Sequence, residues 1–181
     1  MERSPFLEDT ALAVSMCWGC VFCTTGSEEA VARALRDADD VSAAFAVRQI
    51  QHHSEQGVKS TRTRVMMPGY VFFLAEEGAQ AFRFQRLDGV IRVLNYDQSW
   101  PLAGDDLLFA QKLAVYDGML GMSKVYKEGE RIVIESGPLK DFEGIIQKVD
   151  RHNRNGLVSI AFGGKEIKAW LAFEYVAEAK G

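Results

Sequence analysis

An α+β fold is predicted: an antiparallel sheet with helices, followed by a small β-barrel. Three observations in the 181 residues carry it. Up to about residue 117, short apolar runs of period two are interspersed with segments of helical period. Beyond that point only strand-length runs separated by turn residues occur, five in about fifty residues, which suits a small closed barrel. Between the two textures lies GMLGMSKVYKEG, two-glycine and aperiodic, which reads as a connection. The expected division is an extension at 1–14, a first domain at 15–117, a linker at 118–125 and a barrel domain at 126–178.

The first element is CWGCVFC, Cys17 to Cys23, which holds all three cysteines. As a strand it puts Cys17, Gly19, Val21 and Cys23 on one face and Trp18, Cys20 and Phe22 on the other. Cysteines three apart then point to opposite faces and do not converge on an ion. A metal site of this spacing needs a curled loop and a fourth ligand, here only from His52, His53 or His152. Buried strand thiols are the expectation, with no metal and no cofactor.

TTGSEEAVARALRDADD follows as a helix, with Ser27 as cap, Glu28 and Glu29 at its positive end, and an end near Asp39. Ala30, Val31, Ala34, Leu35 and Ala38 make its apolar stripe. AFAVRQIQHHSEQGVKSTRTRVMM reads as a long β-hairpin around Gly57, with His52 and His53 exposed at its tip. Pro68-Gly69 bends the chain into the apolar central strand from Tyr70 to Ala75. AQAFRFQRLDG is a short helix, VIRVLNY a strand, and DDLLFAQKLAVYDGML a helix starting at Asp105 or Asp106. The order is therefore β-α-β-β-β-α-β-α. In the barrel, strands are expected at ERIVIES, EGIIQKVD, LVSIAF, KEIKAW and LAFEYV.

Charge separates the halves. Residues 1–117 carry 11 Lys+Arg against 16 Asp+Glu, net −5; residues 118–181 carry 10 against 9, net +1. The acidic half suits a protein partner better than bulk phosphate. No apolar run approaches the roughly 18 to 20 residues of a membrane helix. ALAVSMCWGCVFC imitates the centre of an export signal, but Glu2, Glu8 and Asp9 make its flank acidic, so a cytoplasmic protein with no membrane partner is expected. No nucleophile, base and orienter pattern and no P-loop occur, which argues against an enzyme.

The order Trp18, Gly26, Glu28, then RVMMPGYV (Arg64 to Val71), then a helix before a G-V strand, resembles the N-terminal domain of the NusG family of transcription elongation factors. EGERIVIESGPLKDFEGIIQKVDR, residues 128–151, resembles the KOW motif that closes such proteins. SGPLKDFEGIIQKVDR with the preceding MSKVYKEG is most similar to the LoaP type of operon-specific antiterminator. Where the general factor more usually has a phenylalanine pair before PGY, this chain has Met66-Met67.

The resemblance implies a monomeric, non-enzymatic factor whose NusG-type first domain docks on the clamp helices of the largest subunit of RNA polymerase. The KOW-type barrel is left for a second partner: a leader RNA hairpin in the LoaP type, termination factor Rho or a ribosomal protein in the general factor. Met67 matches the family's contact phenylalanine, and Met66, Thr24 and Arg64 complete the expected polymerase-binding set; Trp18, Pro68 and Tyr70 are assigned to the fold. Methionine suits an adaptable contact surface, and the bend leaves at least one of the pair facing away from the core. Lys140, Lys148, Arg151, His152, Arg154, Lys165 and Lys168 are the expected RNA-binding residues, three loops supplying a common basic rim. Solvated surface charge is the alternative reading of the same residues. Gly137-Pro138 and Gly144 are expected to serve backbone geometry.

Overall fold

The computed structural model describes residues 15–94 and 99–176. The expected extension at 1–14, Asn95 and Tyr96 of the VIRVLNY strand, and the barrel residues 177 and 178 lie outside the described residues. The chain runs β1 (Met16–Cys23), α1 (Glu28–Arg36), β2 (Val41–Ala46), β3 (Arg48–Glu55), β4 (Val58–Val65), β5 (Tyr70–Glu76), α2 (Ala81–Gln85), β6 (Val90–Val93) and α3 (Gly104–Ala114). It continues as β7 (Met119–Leu120), β8 (Ser123–Glu128), β9 (Arg131–Ser136), α4 (Pro138–Asp141), a 3-10 turn at Glu143–Ile145, β10 (Ile146–Asp150), β11 (Asn155–Phe162) and β12 (Lys165–Tyr175). The strands make three sheets, ordered β2-β5-β1-β6, β4-β3-β7 and β10-β11-β12-β8-β9.

The first sheet is antiparallel throughout, with β5 and β1 central, as their apolar runs require. Its two faces bury different things. Val21 and Cys23 join Val71, Phe73 and Ala75 against Val31, Ala32 and Leu35 of α1 and Phe84 of α2. Cys20 of β1 joins Tyr70 and Phe72 on the opposite face, with Trp18 and Phe22 packed beside them. The alternation read from CWGCVFC is thus realised residue by residue, and Cys20 and Cys23 belong to different cores. Gly19 sits between Phe73 and Trp100, where a β-carbon would lie 2.4 Å from the Phe73 ring.

Burial raises all three thiols. Cys20 is pushed up strongly and Cys23 to about 11, first by burial and then by Glu28; Cys17, half-buried, is raised by burial and by Glu77. A thiol of that kind at Cys23 is ionised to only about one part in a thousand at pH 8. Iodoacetamide at pH 8 should therefore label Cys17 first, with Cys20 and Cys23 reacting only as the protein opens. Peptide mapping against time checks this; labelling of Cys20 as fast as Cys17 would contradict the buried-strand placement.

Several expectations change. The helix α1 ends at Arg36, three residues early, and Ser27 makes no side-chain cap. Instead the Glu28 carboxylate accepts from the Gly26 N–H at 2.8 Å. The long hairpin is preceded by a separate strand, so the order is β-α-β-β-β-β-α-β-α. The break falls at Val47, fully buried, whose carbonyl accepts from Met66 N at 2.7 Å. There β2 leaves β5 and the chain enters the second sheet. The hairpin turns at Gln56-Gly57, so His52 and His53 lie along the arm, not at the tip, and are half-buried.

The connection is not free either. Gly118 O accepts from Arg48 N at 2.7 Å, and Met119 and Leu120 pair with β3 in parallel, with Leu120 buried. The barrel expectation is corrected in two ways. KEIKAW and LAFEYV form one eleven-residue strand, β12, while SKVYKE supplies the fifth strand, β8. Among the described residues β9 and β10 remain the two ends of the sheet order, so the strands form an open, curled sheet and not a closed barrel.

Candidate functional site

The bend RVMMPGYV is fixed by backbone chemistry. Gly69 has φ +83°, and a β-carbon there would meet the Phe22 ring at 2.8 Å and Cys23 O at 3.0 Å. Its N–H donates to Glu28 Oε1 at 2.7 Å, and Cys23 N donates back to Gly69 O at 2.7 Å. Glu28 is 4% exposed. One carboxylate thus ties the start of α1 to the PGY bend, uniting two segments that the sequence holds forty-one residues apart. The sequence suggested only a favourable charge at a helix start.

Met66 and Met67, expected to leave at least one side chain facing outward, are both buried, at 5% and 1% exposure. What buries them is not the core under α1. They share a cluster with Val47, Tyr70 and Phe72 of the amino-terminal part, with Phe109, Ala110 and Leu113 of α3, and with Val158, Ile160 and Phe162 of the C-terminal sheet. Phe162 is the centre: its ring lies 5.1 Å from Phe72, 5.5 Å from Phe109 and 5.8 Å from Tyr70. Edge and tilted arrangements at these separations are favourable beyond area burial. Phe142 adds a further contact to Phe109 at 6.0 Å. Met66 and Met67, expected at the docking face, thus lie in an apolar cluster that the C-terminal sheet and α3 cover.

Polar bonds rim this contact. His52 N donates to Asn155 Oδ1 at 3.0 Å, Asn155 Nδ2 donates to His52 O at 3.2 Å, and His52 Nε2 lies 3.1 Å from Phe173 O. Gly163 N donates to both carboxylate oxygens of Asp106 at 3.2 Å, and Lys112 Nζ to Asp141 O at 3.1 Å. Tyr116 donates its hydroxyl to Asp141; burial first, and then that carboxylate, push its pKa up to about 12. Phe162, Asp106 and Asn155 were missed from sequence because each acts across the chain, where no local spacing reports it.

The remaining expected polymerase residues are exposed. Thr24 follows β1, its N–H donating to Gly89 O at 2.9 Å, and Arg64 lies on β4 opposite Gln49.

The expected RNA residues do not form one rim. Arg151, His152 and Arg154 occupy the turn before β11, and Lys165 follows the turn after it. An eight-residue strand separates them, about 25 Å at the usual rise. Lys168 faces Glu166 at 3.9 Å and Lys140 pairs with Glu143 at 2.9 Å, both as exposed ion pairs. Lys148 is exposed on β10. Arg151 donates to Glu130 O at 2.9 Å, and the Arg154 guanidinium lies over the Tyr175 ring at 5.8 Å. Gly137, at φ +93°, is forced by contact with Ser123, whose Cα would lie 2.7 Å from a β-carbon; Gly144 meets nothing within 4 Å and needs no glycine. Among the described residues no helix is long and apolar enough to cross a membrane.

Residues 16–107 match the model of the family described as "Transcription termination factor nusG". A solved structure titled "Domain interaction in Thermotoga maritima NusG" is 21% identical, with 87% of this chain and 94% of that one covered and a TM-score of 0.49. The family match spans half of the chain and takes in the whole first sheet, with Glu28, Met66, Met67 and the bend between them: the chain belongs to the NusG family.

Proposed function

We propose that this chain is a non-enzymatic antitermination factor of the LoaP type. It binds the clamp helices of RNA polymerase through the Met66, Met67 and Phe72 face, and a leader RNA recruits it to chosen operons. Residues 15–117 act as the docking domain, and the strands from 126 on act as the recruiting domain.

One observation carries this reading. The first sheet buries one face under its own helices α1 and α2, whereas its second face is completed largely by the C-terminal sheet. An apolar face supplied with its cover in this way is suited to exchange that cover for a protein partner, because association needs a desolvated apolar anchor within a polar rim. Docking through Met67 therefore requires the C-terminal sheet to move away, and Phe162 to leave its place against Phe72. Thr24 and Arg64, already exposed, stand outside the covered region as rim contacts.

Transcription in vitro through an intrinsic terminator placed behind the protein's own upstream leader tests the reading. Readthrough should rise several-fold with the protein and only on that leader. Unchanged readthrough, together with stimulated Rho-dependent termination, would instead make the chain a general NusG factor that couples polymerase to Rho or the ribosome.

A further inference from the structure

The β3–β4 hairpin and the turn between β10 and β11 are brought together by the paired amide bonds of His52 and Asn155. Asn155 is buried, at 3% exposure, so the junction is a built one. Beside it opens a hollow of about 330 Å³, walled by His52, His53 and Lys59 from the hairpin and by His152, Asn153 and Arg154 from the turn. All three histidines of the chain stand in its wall, with a lysine and an arginine and with the hydroxyls of Ser60 and Thr61. Among the described residues no carboxylate lines it. His53 lies 3.5 Å from Glu55, which Arg62 also engages at 3.1 Å.

A second hollow of about 290 Å³ shares His52, His53 and Asn153 with the first and adds the half-buried Trp170. Its one acid among the described residues, Asp150, has both oxygens occupied by Asn153, at 2.9 Å and 2.8 Å. Arg154 holds a left-handed backbone at φ +54°, a conformation costly for a residue with a long side chain, and this turn carries it beside the hairpin. A cationic hollow next to an aromatic wall is the pairing that single strands require: cations for the phosphodiester and a flat ring for an unstacked base.

We propose that this groove at the junction of the hairpin and the C-terminal sheet binds single-stranded nucleic acid. The phosphate sits between Lys59 and Arg154, and a base stacks on Trp170. The inference rests on the recruitment reading above and relocates its contact: the nucleic acid is held jointly by both parts of the chain, not by the C-terminal strands alone. Binding is then strongest while the two parts remain together, so the nucleic acid brings the closed chain to the transcription site and is released as the C-terminal sheet moves away for docking.

The test uses the full chain with fluorescein-labelled 12-nucleotide RNA and DNA of one mixed sequence, read by anisotropy across a salt series. Lys59→Ala, at an exposed hairpin position, and Arg154→Asn, which keeps a residue tolerant of the left-handed backbone, should each weaken binding about three- to tenfold and lower the salt slope by about one ion. Trp170→Leu should weaken it about fivefold or more while leaving the slope in place, because stacking releases no counterion. Arg86→Ala, on the far side of the first sheet, serves as the unaffected control. Preference for RNA assigns the groove to a transcript, preference for DNA to a displaced strand, and equal affinity with the same pattern of losses supports the site for either. Wild-type affinity in Lys59→Ala, or losses confined to Lys165→Ala and Lys168→Ala, overturns it, as does the absence of binding to both strands. Terminator readthrough that persists in any of those cases leaves the polymerase reading standing and removes the groove alone.

Discussion

Phe162→Ala should split the thermal unfolding of this protein into two transitions. The ring is 1% exposed and lies against the rings of Tyr70, Phe72 and Phe109 together. Truncating a buried phenylalanine costs about 3–5 kcal/mol, through lost transfer energy and the cavity left behind. Most of that loss falls on the contact between the two parts, since Val158, Ile160, Leu171 and Phe173 stay in place to hold the C-terminal sheet. Calorimetry of wild type should show one endotherm and the variant two. A single endotherm moved down by several degrees would mean that both parts form one inseparable core. Under the proposed function the same variant also gains affinity for polymerase, because 3 kcal/mol of cover removed raises the fraction with an open docking face by up to about a hundredfold.

The legibility of this contact differs sharply between its two sides. CWGCVFC could be resolved into two faces because strand period is a local property, and the structure assigns those faces to two cores. PGYVFF was equally readable as a central strand, and the glycine at 69 as a bend. Met66 and Met67 were misplaced for a different reason. Local pattern shows that a residue is apolar, but not which partner buries it, and here the partners lie far along the chain, on α3 and on the C-terminal sheet. The same limit explains the barrel. Four of the five strands were countable from turn residues, KEIKAW and LAFEYV proving to be one and SKVYKE the strand that was missed, whereas closure depends on whether β9 reaches β10, which no spacing encodes. Residues 118–125 were read as a linker because Met119-Leu120 is too short to show a period, yet β3 supplies it with a parallel neighbour. The basic residues illustrate the third case. Lys165 and Arg154 are near in sequence and at opposite ends of β11, while Arg154 and Lys59 are distant in sequence and wall one hollow.

Glu28→Ala should lower stability by about 2–4 kcal/mol without altering the surface offered to a partner. The carboxylate accepts from Gly69 N at 2.7 Å and Gly26 N at 2.8 Å, and its own 4% exposure leaves little room for water to replace it. A buried donor left without an acceptor costs about 1–3 kcal/mol, and two donors lose theirs here. The carboxylate also lies in the first turn of α1, where negative charge is favoured by the helix end. Glu28→Gln separates these contributions. Glutamine has one acceptor oxygen and presents an NH₂ to the other donor, so it should recover part of the loss but not all of it. Urea titration at constant m value measures both variants. Glu28→Ala within 0.5 kcal/mol of wild type would show that the bend holds without its clamp. If the loss is found, the recognisable pattern of Gly26, Glu28 and Pro68-Gly69-Tyr70 marks how the fold is tied together, and the docking chemistry has to be sought beside it, in Met66, Met67 and Phe72.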